Sequence, residues 1–163
     1  MNRLEGKVAI ITGGNSGVGA ATAVKFANEG AKVVITARRE AQLEEVAVKI
    51  REMGGEVLPI CSDISKVEDA KRVVAETLAA FGKIDILINN AGVLDNGLKA
   101  IDSFTDDDMN RVIDINTKGT MCMTREVSVE MAKTGYGSIV NVASVAGVMG
   151  CGGAAYVASK AAI

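Results

Sequence analysis

Short apolar runs alternate with helix-spaced apolar positions along the whole chain. Lys7-Val8-Ala9-Ile10-Ile11-Thr12 carries branched side chains and no polar face, which predicts a strand covered on both sides. Ala20, Ala23, Val24 and Ala27 then recur at helical spacing as far as Glu29, and Gly30 stands where a helix stops. Lys32 to Thr36 predicts a second buried strand. Leu43, Val46, Ala47 and Ile50 mark a helix face closed by Gly54-Gly55. Val57 to Cys61 predicts a third strand, and its Pro59 puts that strand at a sheet edge. Ser65-Lys66-Val67-Glu68 has the capping-box form; Ala70, Val73, Val74, Thr77, Leu78 and Phe81 trace the helix after it, as far as Gly82. Ile84 to Ile88 predicts strand four. Thr105-Asp106-Asp107-Asp108 caps a long helix running to about Ala132, its acids favoured by the helix dipole. Ser138 to Val142 predicts strand five, and Tyr156 starts a last helical stretch.

This alternation with short links predicts one α/β domain, residues 1–163, built as a doubly wound parallel sheet with helices on both faces. Ligands of such sheets bind beyond the carboxyl ends of the strands. Unusual residues fall there. The first strand leads into Thr12-Gly13-Gly14-Asn15-Ser16-Gly17-Val18-Gly19, with four glycines. Glycine lets a ligand approach the main chain, and the helix that follows points unpaired N–H groups and a positive dipole end at the same place. A pyrophosphate suits it. The P-loop pattern fails, because Ala20-Ala21 follows Gly19 where Lys and Ser or Thr are required. G-x-G-x-x-G also fails, since the spacing is Gly13-x-x-x-Gly17-x-Gly19. A glycine-rich connection without a ligand is the competing reading. The other strands end in Arg38-Arg39, Ser62-Asp63-Ile64, Asn89-Asn90-Ala91-Gly92 and Ala143-Ser144.

Composition narrows the chemistry. Hydrophobic residues make up 48%, which fits a globular domain and excludes a disordered one. Net charge is −2 and no basic patch with interleaved aromatics appears, so nucleic acid is not an expected partner. No apolar run approaches the roughly 20 residues of a membrane span, and the first residues hold no signal-peptide core. Cys61, Cys122 and Cys151 read as reduced thiols of a cytoplasmic protein, and the cysteines and methionines as core fillers. There is no histidine. That excludes a Ser-His-Asp or Cys-His hydrolase and a His-ligated metal, so no metal site is expected.

Proton chemistry must therefore use Tyr, Lys, Cys or a carboxylate. Tyr156 and Lys160 stand four apart, on one helix face. A free phenol, with a pKa of about 10, is a poor acid or base at neutral pH, and a nearby ammonium lowers that value. Ser144, after strand five, is placed to hold a carbonyl oxygen against the same phenol. An ordinary surface pair is the alternative for Tyr156 and Lys160. Tyr136, in Gly135-Tyr136-Gly137 on the amino-terminal side of strand five, reads as a loop residue.

Taken in order, Thr12-Gly13-x-x-x-Gly17-x-Gly19, Asn89-Asn90-Ala91-Gly92, Asn116, Ser144 and Tyr156-x-x-x-Lys160 resemble the motifs of the classical short-chain dehydrogenases/reductases. The resemblance implies a Rossmann fold and an NAD(P)-dependent oxidoreductase acting on a small alcohol or ketone. It implies Tyr156 as general acid/base, Ser144 as carbonyl clamp, and Lys160 on the nicotinamide ribose. Asn116 would hold a water in a proton relay; from the residues alone it reads as a poor helix former facing solvent or marking a bend. Thr12, Gly13, Asn15, Ser16, Gly17, Val18 and Gly19 would hold the pyrophosphate side. Asp63 and Ile64 would touch the adenine, and Asn90, Ala91 and Gly92 would line the cleft with Tyr156 and Lys160. The place of an NAD-selecting acid is taken by Ala37, with Arg38 next, which favours NADP over the alternative, NAD. A homodimer or homotetramer is implied. A non-catalytic nucleotide-binding module, and an epimerase or dehydratase on the same fold, stay open.

The chain reaches Ile163 three residues after Lys160. The family's sixth and seventh strands, a Pro-Gly segment and the substrate-covering helices are not in it, so the C-terminal part of the usual fold is expected to be missing. These residues are then expected to keep an NADP cleft but to turn over little by themselves.

Overall fold

The computed structural model describes residues 2–95 and 100–163. Val8–Thr12 (β1), buried at every position, lies between Lys32–Ala37 (β2) and Ile86–Asn89 (β4). Val57–Cys61 (β3) and Ser138–Asn141 (β5) form the edges, giving the order β3-β2-β1-β4-β5 with every pairing parallel. Pro59 has no amide hydrogen for a ladder and sits on the edge strand, as its chemistry predicts. The chain runs outward from β1 on one side and returns to β4 on the other. The switch point thus falls between the loops after β1 and β4.

Alternate strand residues serve opposite faces. Ala9, Ile11, Val33, Ile35, Ile86 and Ile88 pack with Ala23 and Ala27 of Gly17–Asn28 (α1) and Leu43, Ala47 and Ile50 of Glu40–Glu52 (α2). Ile10, Val34 and Leu87 face the other way, against Ala70, Val73 and Val74 of Val67–Phe81 (α3) and Met123, Val127 and Met131 of Thr120–Thr134 (α5). Each Val, Leu, Ile or Met side chain among them, once buried, contributes about 1.5–3 kcal/mol, which fixes the sheet that carries the loops. Among the described residues no helix is long and apolar enough to cross a membrane.

Several local expectations need correction. α1 begins at Gly17, inside the glycine motif, because apolar spacing reports only where the packed face begins. The capping box at Ser65 does not form. The Ser65 hydroxyl donates to Asp63 Oδ1 (2.7 Å), and the residue before α3, Lys66, makes no side-chain cap. Asp69, in the first turn of α3, instead accepts from the Asp63 amide (2.8 Å). At Thr105 the box does form: Thr105 Oγ1 accepts from the Asp108 amide and Asp108 Oδ2 from the Thr105 amide. The helix it opens is not uniform. Asp106–Ile113 (α4) passes into a π-helical segment, Asp114–Gly119, before α5. Ala146–Met149 (α6) and the 3₁₀ turn Ile101–Ser103 carry no apolar period and went unpredicted. Ala154–Ala162 (α7) closes the described chain. The core-filler reading holds for Cys122, Met123 and Met131 but fails for Cys61, Cys151, Met53, Met109, Met121 and Met149. All six are exposed, on surfaces that no described element covers.

The amino end of the sheet is held by a buried carboxylate. Asp85 Oδ2 accepts from the Val8 amide (2.8 Å), with Lys83 at 2.9 Å and Lys7 at 3.7 Å. Lys7 Nζ also sits 4.0 Å from the ring centroid of Tyr136, which is an exposed loop residue as predicted. Burial alone would raise the Asp85 pKa; the Val8 N–H and the two ammonium groups outweigh it and hold the carboxyl below its ordinary value. A lowered folded pKa means that the stabilisation is present above the unfolded carboxylate range and is lost as pH falls through the folded value. Asp85→Asn should therefore cost about 1–3 kcal/mol in urea unfolding at pH 7. The gap to wild type should close in acid, and an equal gap in neutral and acidic buffer would contradict this account.

Candidate active site

The loops after β1 and β4 are knitted together. Thr12 Oγ1 accepts from the amides of Asn90 and Ala91, both at 3.0 Å, and Asn90 Nδ2 donates to Thr12 O (2.9 Å) and Gly13 O (3.4 Å). Gly17 opens α1 with a φ of 53°, which a side chain would strain. Gly19 serves packing: a Cβ there would run into the Gly13 carbonyl and come within 2.5 Å of Asn90 Nδ2. Ser16 precedes the helix in extended backbone without capping it, and no acid occupies the first turn. The positive end of α1 is left to whatever enters from the cleft.

That cleft has a volume of about 580 Å³. Gly13, Asn15, Ser16 and Val18 line it from the glycine loop, Arg38 from the end of β2, Asp63 and Ile64 from the end of β3, and Asn90, Ala91 and Gly92 from the end of β4. Thr36, Ala37, Arg39, Ser62, Val93 and Ile115 complete it. Arg39 is held on the glycine loop, where its Nη2 donates to Ser16 Oγ (3.4 Å) and to the Asn15 amide oxygen (2.9 Å). Arg38 is exposed where it lines the cleft. The site therefore presents a helix N-terminus and two cations, a donor set that fits the phosphates of a dinucleotide.

Gly92 joins this cleft to a second group of residues. A Cβ on it would lie 3.4 Å from Asn116 Oδ1 and 3.5 Å from Lys160 Nζ. Asn116 is 1% exposed, not solvent-facing as its residue type suggests. The π-helical segment carries it inward, and both hydrogens of its amide are engaged. Oδ1 accepts from the Val93 amide (2.8 Å), while Nδ2 donates to Val93 O (3.0 Å) and Ser159 Oγ (2.9 Å). Ser159 Oγ in turn donates to Tyr156 O (2.8 Å), back along α7. Lys160, 8% exposed, donates to Val142 O (2.7 Å), and its Nζ is 5.9 Å from the Tyr156 ring centroid. Burial lowers its pKa. Ser144, half-buried beyond β5, accepts from the Ala146 amide (3.2 Å), which leaves its O–H free to donate.

The structure thus gathers Asn116, Tyr156 and Lys160 at the inner end of the cleft. Thr12 and Gly19 are buried behind its wall and shape it without lining it. Two residues that residue-by-residue reading passed over also belong to the site. Ser159 links Asn116 to α7, and Asp95, buried before that helix, accepts from the Tyr156 amide. Ser159 sits between Tyr156 and Lys160, so helical spacing offered a signal; Asp95 had none.

Comparison with known proteins agrees with this architecture. The short chain dehydrogenase family model matches residues 7–163. The 3β-hydroxysteroid dehydrogenase of Mediterraneibacter gnavus is 38% identical over 164 residues, covering 100% of this chain and 59% of that one. Among solved structures, an NAD⁺-bound xylitol dehydrogenase superposes with a TM-score of 0.93 at 36% identity, over 98% of this chain and 62% of its own. A metagenomic short-chain oxidoreductase in complex with NADP gives the same TM-score and identity, over 98% and 72%. The chain spans 57–65% of the length of the first three curated relatives it matches. The match runs through the glycine loop, the β4 loop and the last helix alike, and the chain belongs to the short-chain dehydrogenase family.

Proposed function

We propose that the protein is an NADP(H)-dependent oxidoreductase, working on an alcohol or carbonyl substrate with Asn116, Ser144, Tyr156 and Lys160 as its catalytic residues. The observation that carries this is the convergence of Asn116 and Lys160 on Gly92, where the cleft meets the helix bearing Tyr156. A bound nicotinamide supplies or accepts the hydride. The residues of this chain handle the proton: the Ser144 hydroxyl donates to the substrate oxygen and orients it, and the Tyr156 hydroxyl gives its proton to that oxygen in reduction, while in oxidation the Tyr156 phenolate takes the proton from the substrate hydroxyl. Lys160 supplies positive charge 5.9 Å from the ring centroid of Tyr156, which favours the phenolate that forms as the proton leaves. Asn116 holds Val93, and with it the floor of the cleft, and the second lone pair of its Oδ1 holds a water through which the proton passes toward solvent.

Cofactor choice rests on the end of β2. Ala37 closes the strand without a carboxylate for ribose hydroxyls, and Arg38 follows, exposed and lining the cleft. A charge-assisted contact to a 2′-phosphate contributes about 1.5–3 kcal/mol, so NADPH should bind about ten- to a hundredfold tighter than NADH. Arg38→Asp should reverse that order. Titration of both cofactors by nicotinamide fluorescence, followed by a panel of ketones read at the nicotinamide absorbance, tests both parts. Equal wild-type affinity for the two cofactors would refute the NADP assignment, and cofactor binding without turnover of any ketone or alcohol would favour a binding module.

A further inference from the structure

α7 begins without a cap of its own. The residue before it, Gly153, has the extended backbone of an N-cap (φ −71°, ψ 147°) but no side chain to accept from the first-turn amides. Ser, Thr, Asp or Asn is preferred at such a position, because its oxygen takes the amide of the second or third helical residue. Here the third residue is Tyr156. Its amide is not left open: both carboxylate oxygens of Asp95 lie 3.2 Å from it, and Asp95 is 8% exposed. Gly153 is buried, and any Cβ on it would overlap Asp95 Oδ2. The missing side chain is what makes room for the carboxylate.

Asp95 is anchored from its N-terminal side. Asn116 grips Val93 through both its amide and its carbonyl, and Arg111 Nη2 donates to Leu94 O (2.6 Å). The same stretch starts at Asn90, which is fastened to Thr12 and Gly13. Residues 90–95 therefore tie the glycine loop to the start of the helix that carries Tyr156. A carboxylate at the positive end of α7 holds it by charge as well as by hydrogen bonding.

We propose that Asp95 is a positioning residue for the reaction: it caps α7 from a distant part of the chain and thereby sets the Tyr156 hydroxyl against substrate and cofactor. This rests on the oxidoreductase reading above. Losing the cap shifts the start of α7, and a displacement of about 1 Å at a reacting group costs about a hundredfold in rate.

The test moves the cap. Asp95→Gly should lower kcat about ten- to a hundredfold, with NADPH affinity unchanged, and should abolish hydrogen-exchange protection of the Tyr156 amide. Gly153→Asp alone should also lower kcat, because the two side chains collide. Asp95→Gly combined with Gly153→Asp places the carboxylate at the local N-cap and should restore both protection and most of kcat. Asp95→Asn keeps an acceptor and should fall in between; its thermal melting, and that of the exchanged pair, shows whether lost activity is only lost folding. Unchanged protection in Asp95→Gly, or lost protection with unchanged kcat, overturns the proposal. So does a double variant no better than the worse single one. A wild type that binds no nicotinamide cofactor overturns the oxidoreductase reading instead, and the protection measurement still decides whether Asp95 caps the helix.

Discussion

Tyr156→Phe should lower turnover in the native protein by about 10²–10⁴-fold while leaving NADPH affinity unchanged. The substitution removes one oxygen. The ring is half-buried on α7, and its packing is the same with or without the hydroxyl. The polar contacts at this residue run through its backbone: its amide donates to Asp95 and its carbonyl accepts from Ser159. Phenylalanine keeps both, so α7 holds its place and the cleft its shape. What disappears is the only phenol near Lys160. The chain has no histidine, and the other tyrosine, Tyr136, lies at the opposite end of the sheet beside Lys7. Among the described residues no second phenol or imidazole stands near Lys160 to move the proton. Steady-state rates with cofactor affinities from fluorescence titration measure the split between kcat and binding. Wild-type kcat in Tyr156→Phe would remove Tyr156 from the reaction, whereas a fall in cofactor affinity equal to the fall in rate would make it a binding residue only.

The sheet was legible because it is built from runs that carry their own signal. Ile10 and Ile11 point to opposite faces, and both faces are covered, so β1 reads as unbroken hydrophobicity. The glycine loop was legible for a related reason: backbone demands such as the φ of Gly17 leave few residue choices. Asn116 shows where local reading stops. In a regular helix a polar residue at that point reads as exposed, but the π-helical turn changes which side chains face inward, and apolar spacing contains no record of it. The failed box at Ser65 teaches the same lesson on a smaller scale. The pattern was right, yet Asp63 lay close enough to take the serine hydroxyl, and the helix started later. Asp95 is the extreme case. It completes a cap 61 positions further on, and neither it nor Gly153 suggests the pairing until both are placed in space. Long-range polar partners are decided by the fold, and those are the partners that build this site.

Lys160→Met should abolish most turnover and weaken cofactor binding, yet leave the protein at least as stable at neutral pH. The lysine is 8% exposed, and its one described hydrogen bond is to Val142 O. Taking an ammonium out of water with a single carbonyl as compensation is unfavourable, and burial accordingly lowers its pKa. The sign follows from that direction. Between the lowered folded value and the unfolded value of about 10.4, the unfolded chain binds more protons, so stability rises with pH across that alkaline window. Below it the full cost of the buried charge is present. Methionine fills a similar volume without the charge and removes that cost; Val142 O loses a partner in exchange. Thermal melting should therefore place Lys160→Met at or above wild type at pH 7, with the wild type gaining on the variant toward alkaline pH. A cost to folding at a position 5.9 Å from the Tyr156 ring supports the proposed role of Lys160 in the chemistry. Its removal should lower kcat by about the same 10²–10⁴-fold as Tyr156→Phe, and unlike that variant should also lower cofactor affinity. A variant that melts well below wild type at neutral pH but turns over normally would show the reverse: Lys160 would be a structural tie between α7 and the end of β5, and the proton chemistry would lie elsewhere.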